Sequence, residues 1–177
     1  MVNSDYNILK DWMFGKLASL LENTEPNPKY SILKMSLGEP TLGVPDFTKK
    51  ILDLNYKDWA KYPPSEAIPS LGNSILNYIK RRYPGAEKLI KLNKNIVPVP
   101  GTREPLHLVG LLAKNLKVGK TTALVTNPFY HAWLAGSISS GSKVHWLDCL
   151  AENNYLPDIS DIPEKLLQSS VIMYICT

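Results

Sequence analysis

The chain has 177 residues, 44% hydrophobic and 20% charged, proportions of a globular protein and not of a wholly disordered one. That length suits one domain or a domain with an appended arm, able to bury roughly two thirds of its unfolded surface. The net charge is +4, no apolar run reaches the ~18–20 residues that span a bilayer, and two cysteines without CxxC spacing are too few for a disulfide scaffold. A reduced, cytoplasmic setting is expected. The N-terminal stretch carries Asp5, Lys10, Asp11 and Lys16, so it does not read as a signal peptide. Charge is unevenly placed: between Lys80 and Lys120 ten basic residues stand against Glu87 and Glu104, a local +8, and the remainder sums to −4. Such a stripe can bind nucleic acid or an anionic ligand. Here no aromatics interleave with it and no zinc-finger spacing exists, so a solvated face is expected, with neither nucleic acid nor membrane as partner.

Ile8, Leu9, Trp12, Met13, Leu17, Leu20 and Leu21 recur at helical spacing and predict an amphipathic helix from about Asp5 to Leu21. Glu22 to Lys29, with Pro26 and Pro28, is a loop. Tyr30 to Leu37 reads as a short strand that Gly38-Glu39-Pro40 breaks. A helix is expected from Asp46 through Leu52, capped by its own carboxylate or a neighbour's. Tyr62-Pro63-Pro64 enforces extended backbone, because a residue before proline avoids the helical region. Pro69 suits a first helical position, with Leu71, Ile75, Leu76 and Ile79 as the buried stripe and Pro84-Gly85 as the stop.

From residue 96 short strands and helices alternate. Ile96 to Val99 reads as a strand, although Pro98 cannot donate to a ladder. After Gly101-Thr102-Arg103-Glu104 comes a helix with Leu106, Val109, Leu112, Ala113 and Leu116, ended by Gly119. Thr122–Thr126 is a buried strand, Asn127-Pro128 a turn, and about His131 to Ser139 a helix ended by Gly141. Lys143–Leu147 is a strand, Asp161–Leu167 a short helix, and Ser170–Cys176 a third apolar strand. This alternation predicts an α/β fold with a mostly parallel sheet and flanking helices. In such sheets ligands bind beyond the carboxyl ends of the strands. The chain stops one residue after its last strand, so a truncated sheet is expected.

Gly119-Lys120-Thr121-Thr122 invites comparison with a phosphate loop, GxxxxGK[ST] between a strand and the following helix. Lys114 occupies the place of the first glycine and the order is reversed, helix before strand, so nucleotide binding is rejected there. Gly101-Thr102-Arg103-Glu104 has the right placement. It opens a helix whose free amides, with the Thr102 hydroxyl and the charge of Arg103, suit a phosphate dianion. Asn127-Pro128-Phe129-Tyr130 brings two rings to a strand exit, where one could stack on a planar ligand. An anion loop beside a ring loop suggests an aromatic phosphate cofactor. His107, His131 and His145 have no ligand spacing, so no metal is expected. No GxSxG elbow exists, and Cys149 and Cys176 read as small buried hydrophobes.

Leu37-Gly38-Glu39-Pro40, Tyr62-Pro63-Pro64, Pro100-Gly101-Thr102-Arg103-Glu104 and Asn127-Pro128-Phe129-Tyr130 occur here in this order. The series resembles the class I/II aminotransferases, pyridoxal-phosphate enzymes of fold type I, across about residues 30 to 177. With the stretch Lys61 to Leu71, it is most similar to the branch that transaminates succinyldiaminopimelate in lysine and diaminopimelate biosynthesis. The resemblance implies pyridoxal 5'-phosphate as cofactor, an amino acid (glutamate first) and an oxo acid as substrates, and a homodimer at full length. It implies that Gly101, Thr102 and Arg103 hold the cofactor phosphate and that Tyr130 stacks on the pyridine. Tyr62 would reach a partner protomer's cofactor phosphate, and Gly38 would line the substrate carboxylate site. Residues 1–45 would be an N-terminal helical arm and small-domain segment, and 46–177 the first, incomplete part of the large cofactor-binding domain.

Two departures stand out. Ala67 replaces a glycine usual after the Tyr-Pro-Pro motif. The family also continues past Thr177 to the aspartate that pairs with the pyridine nitrogen, the Schiff-base lysine and the carboxylate-binding arginine. No catalytic residue is therefore nominated, and this chain alone is expected to be inactive. The alternative is a non-catalytic remnant, at most a cofactor-binding or dimerising module.

Overall fold

The computed structural model describes residues 7, 9, 13–33, 35–63 and 69–176. In chain order the helices and strands are α1 (Met13–Leu21), α2 (Asp46–Leu54), α3 (Pro69–Arg82), α4 (Leu92–Asn95), α5 (Arg103–Leu116), β1 (Thr122–Asn127), α6 (His131–Ser139), β2 (Lys143–Asp148), α7 (Glu164–Ser169) and β3 (Ser170–Tyr174). They fall into two compact units, one of Met1–Glu22 with Val99–Thr177, the other of Asn23–Pro98.

The first unit holds a parallel sheet in the order β2-β1-β3. Its central strand, Thr-Ala-Leu-Val-Thr-Asn, is buried from Thr122 to Thr126. A continuous apolar, β-branched run is what a strand covered on both faces requires. On one face Ala123 and Val125 pack with Trp133, Val171 and Tyr174, with Leu106, Phe129 and Tyr130 against them. On the other, Leu124 packs with Leu147 and Ile162.

Helix α6 is apolar nearly all round and buries Ala132, Trp133, Leu134, Gly136, Ser137 and Ile138, the pattern of a helix covered on most sides. It crosses α5 closely enough that a Cβ on Gly136 would lie 2.5 Å from the His107 carbonyl oxygen. A Cβ on Gly110 would lie 3.0 Å from Gly136 backbone and from the Tyr174 hydroxyl. A mid-helix glycine costs about 1 kcal/mol against alanine, and here it permits the backbones to meet.

The second unit contains α2, a 3-10 turn at Tyr56–Ala60, α3, a second such turn at Ala86–Leu89, and α4. Helix α3 is described from Pro69, and the chain after it passes through Gly85 with φ +93°. Gly72 packs against the Leu92 side chain.

Several expectations are corrected. Tyr30–Leu37 forms no strand among its described residues, and Leu33 and Met35 are exposed. Ile96–Val99 is extended at Ile96 but pairs with nothing described. Apolar pattern alone does not make a strand, because its backbone groups need a neighbouring ladder. Asp46 is not a cap: Pro45 holds that position without a side-chain bond, and Asp46 lies in the first turn, where a carboxylate suits the helix's positive end. Helix α7 starts at Glu164, not Asp161, because Pro163 is extended at its cap. Cys176 is exposed and Cys149 half-buried, neither fully buried. The start of the expected N-terminal helix, together with Pro64 and Ala67, falls wholly or partly outside the described residues.

Candidate functional site

Gly101 turns the chain into α5 with φ +92°, a conformation that favours glycine, and a Cβ there would meet nothing within 4 Å. Thr102 is the N-cap of α5, and its hydroxyl makes no capping bond. The helical ladder starts with the Leu106 amide donating to the Thr102 carbonyl at 3.1 Å. Pro105 has no amide. The amides of Thr102, Arg103 and Glu104 are therefore the donors at the positive end of the helix, and none is bonded to the chain among the described residues. All four residues of this loop are exposed.

The Tyr174 hydroxyl, at the carboxyl end of β3, donates to the Leu106 carbonyl at 3.1 Å. This bond ties the first turn of α5 to the carboxyl edge of the sheet. Tyr130, which follows β1 at the same edge, caps α6 in an extended conformation and is half-buried. Its ring lies 4.5 Å from that of His131 and edge-on to Trp133 at 6.2 Å. Trp133 in turn stacks on Tyr174 at 5.3 Å.

Burial, and then the charge of Arg103, lower the His131 pKa below its ordinary 6.5. The charge of Arg103 at the start of α5 thus acts on His131 at the start of α6. Burial raises the Tyr174 pKa above its ordinary 10.0, which keeps the phenol protonated as a donor. Thr126 Oγ1 and Trp133 Nε1, on either side of the Tyr130 loop in sequence, are buried without a partner among the described residues.

Of the residues singled out from sequence, Gly101, Thr102, Arg103 and Tyr130 are brought to this edge of the first unit. Gly38 and Tyr62 belong to the other unit. A Cβ on Gly38 would meet nothing within 4 Å, and Tyr62 is fully exposed. Gly119-Lys120-Thr121-Thr122 is a linker stitched into the sheet. The Lys114 ammonium donates to the Lys120 carbonyl, the Thr121 amide to Ser169 O at 3.0 Å, and the Lys143 amide to Thr121 O at 2.8 Å. Sequence reasoning missed His131 as the neighbour of Arg103, and the Gly110–Gly136 crossing. The second had a signal, since interior helix glycines carry a cost that a close contact explains.

A parallel α/β sheet with a helix start and a half-buried ring at its carboxyl edge defines the class: an α/β fold whose strand-exit loops suit a phosphorylated, planar ligand. The class I and II aminotransferase family model matches residues 30–177, and the chain belongs to that family. It is 27% identical over 148 residues to an LL-diaminopimelate aminotransferase of Dehalococcoides mccartyi, covering 81% of this chain and 36% of that protein. A second enzyme of that name, from Desulforudis audaxviator, is 24% identical over 94% of this chain and 41% of its own length. Among solved structures, an aminotransferase from Neisseria meningitidis superposes with a TM-score of 0.86 at 24% identity, over 99% of this chain and 44% of its own. BacF from Bacillus subtilis does so at 0.73 and 22% identity, over 99% and 44%. The fold is that of the fold type I aminotransferases. The chain spans about two fifths of the length of these curated relatives.

The family's enzymes use pyridoxal phosphate. The residues present fit that group: amides without a chain partner among the described residues and a hydroxyl at the start of α5, open space over Gly101, and an aromatic ring at the neighbouring helix cap.

Proposed function

We propose that the protein is a pyridoxal-phosphate-dependent aminotransferase in which Gly101, Thr102 and Arg103 hold the phosphate of its cofactor and Tyr130 covers one ring face. The observation that carries this reading is the open start of α5, where Thr102 has a free hydroxyl and three amides have no partner among the described residues. Those groups would accept a dianion at the positive end of the helix. Arg103 adds favourable field and, with burial, keeps His131 neutral beside Tyr130. The Tyr130 ring would cover one ring face and exclude water from it. When bound, the cofactor supplies an electron sink for the carbanion at the amino acid's α-carbon. Tyr62, exposed in the other unit, would reach the cofactor phosphate of a partner protomer, and Gly38 would line the substrate carboxylate site. These two roles rest on the motif resemblance. So does the inference that the cofactor-anchoring lysine is not among residues 1–177.

The transfer would run from glutamate to an oxo precursor of diaminopimelate, in the cytoplasm and in a homodimer. The motif resemblance points to the succinylated precursor, whereas relatives at 24–27% identity are named for LL-diaminopimelate. Offering both oxo acids to the native enzyme with glutamate separates them, and transfer to neither overturns the substrate assignment.

The cofactor reading is tested by borohydride reduction of the native protein and its intact mass. One pyridoxyl group on a species of more than twice this length, as the coverage of 36% and 41% of the relatives implies, supports it. A 19.8 kDa species without an adduct overturns it in favour of the non-catalytic remnant. In the enzyme, Thr102→Ala should weaken pyridoxal-phosphate binding about tenfold and leave pyridoxal binding unchanged, because one hydrogen bond to a charged group is worth about 1.5 kcal/mol. Equal loss for both ligands would refute the phosphate role.

A further inference from the structure

At the carboxyl ends of β1 and β2, Asn127, Phe129, Trp146 and Asp148 line a shallow hollow of about 240 Å³. None of the four belongs to the phosphate and ring set described above. The Phe129 and Trp146 ring centroids stand 4.9 Å apart with planes tilted by 47°. They form an angled aromatic wall, and Trp146 remains partly exposed.

The polar side of the hollow is held in place by the sheet. Asn127 and Asp148 are register partners across β1 and β2, and the Cys149 amide donates to the Asn127 carbonyl at 2.9 Å. Asn127 Nδ2 donates to Asp148 Oδ1 at 3.0 Å, so one carboxylate oxygen is oriented by the amide. The other has no hydrogen bond or ion pair among the described residues.

From Asp148 to Glu164 the chain carries Asp148, Glu152, Asp158, Asp161 and Glu164 and neither lysine nor arginine. The hollow therefore begins a uniformly acidic stretch, in contrast to the basic loop at the start of α5. Two π faces attract a cation through their quadrupoles, and an oriented carboxylate adds charge on the opposite wall.

We propose that this hollow binds a small organic cation, through a primary ammonium or guanidinium head seated between the Phe129–Trp146 wall and the open oxygen of Asp148. Its volume suits a head group with a short alkyl tail and not a folded partner. Neutral molecules of the same shape lose both electrostatic contacts and are rejected.

The probe is n-butylammonium, with n-butanol as its neutral counterpart. The readout is the indole N–H resonance of Trp146, assigned by its disappearance in Trp146→Leu. The resonance should move saturably with a midpoint of about 1–10 mM, as one exposed cation–π site and one exposed charge pair allow. It should not move with n-butanol. Asp148→Asn keeps the shape of the hollow and should raise the midpoint at least about fivefold; Phe129→Leu, an independent variant, should raise it about threefold. Circular dichroism and the urea midpoint establish that each variant is folded. An equal response to n-butanol, a linear response without saturation, or an unchanged midpoint in folded Asp148→Asn would overturn the proposal.

Discussion

Both units of this chain carry many apolar residues, the sheet unit more of them, and they come out differently. Residues 99–176 bury Ala123, Leu124, Val125, Trp133, Leu147 and Val171 in two layers around a parallel sheet. Among the described residues of 23–98, Gly72 is the one buried position, while Leu33 and Met35 are 81% and 90% exposed. Amphipathic periodicity is enough to shape α2 and α3, but a core forms only where one element has another to cover it. Stability should therefore be concentrated in the sheet unit, and substitutions should reveal that contrast.

The largest effect is expected at Gly136. A side chain there meets His107 backbone, which cannot move away cheaply. Gly136→Leu should cost about 3 kcal/mol or more through overpacking, read as a fall in the urea midpoint. A loss under about 1 kcal/mol would mean that α5 and α6 are not in backbone contact.

Tyr174→Phe removes the bond to the Leu106 carbonyl and should cost about 1 kcal/mol. Its signature lies in the alkaline range. The folded-state pKa of Tyr174 is raised, so its stabilising contribution is present below pH 10 and lost as pH rises through and above that value. The variant should lack that loss, and an identical alkaline profile in both proteins would break the assignment.

His131 works in the opposite range. Its folded-state pKa is lowered by burial and by Arg103, so the unfolded chain takes up the proton first. Stability should be full above pH 6.5 and decline as pH falls through and below it. Urea midpoints across that interval check this, and His131→Gln should flatten the slope. Smallest of all, Leu33→Ser in the other unit should change stability by no more than about 0.5 kcal/mol. A larger loss would show that residues 23–98 have a core of their own.

The helices were legible locally. Gly141 follows the Ser140 cap of α6 with φ +70° and acts through a backbone restriction on one residue. Pro69 is the first described residue of α3, whereas α5 ends at Leu116 with Lys117 as its cap, before Gly119. The central strand was legible too, because Ala123, Leu124 and Val125 put apolar side chains on both faces of Thr122–Thr126. Tyr30–Leu37 and Ile96–Val99 carry a similar apolar signal and form no ladder, since pairing depends on a neighbour that a one-dimensional pattern does not contain.

The candidate site divides in the same way. The placement of Gly101-Thr102 at a helix start and of a tyrosine after a strand was legible in the order of residues alone. That Arg103 acts on His131, that Tyr174 ties β3 to Leu106, and that Asp148 faces Asn127 beside two rings were decided by packing. Residues 21 to 68 positions apart in the chain meet there only because the strands run parallel, and the helix between them returns its start to the same edge. Local backbone preference is written in neighbouring residues, whereas electrostatic contact depends on distance through space.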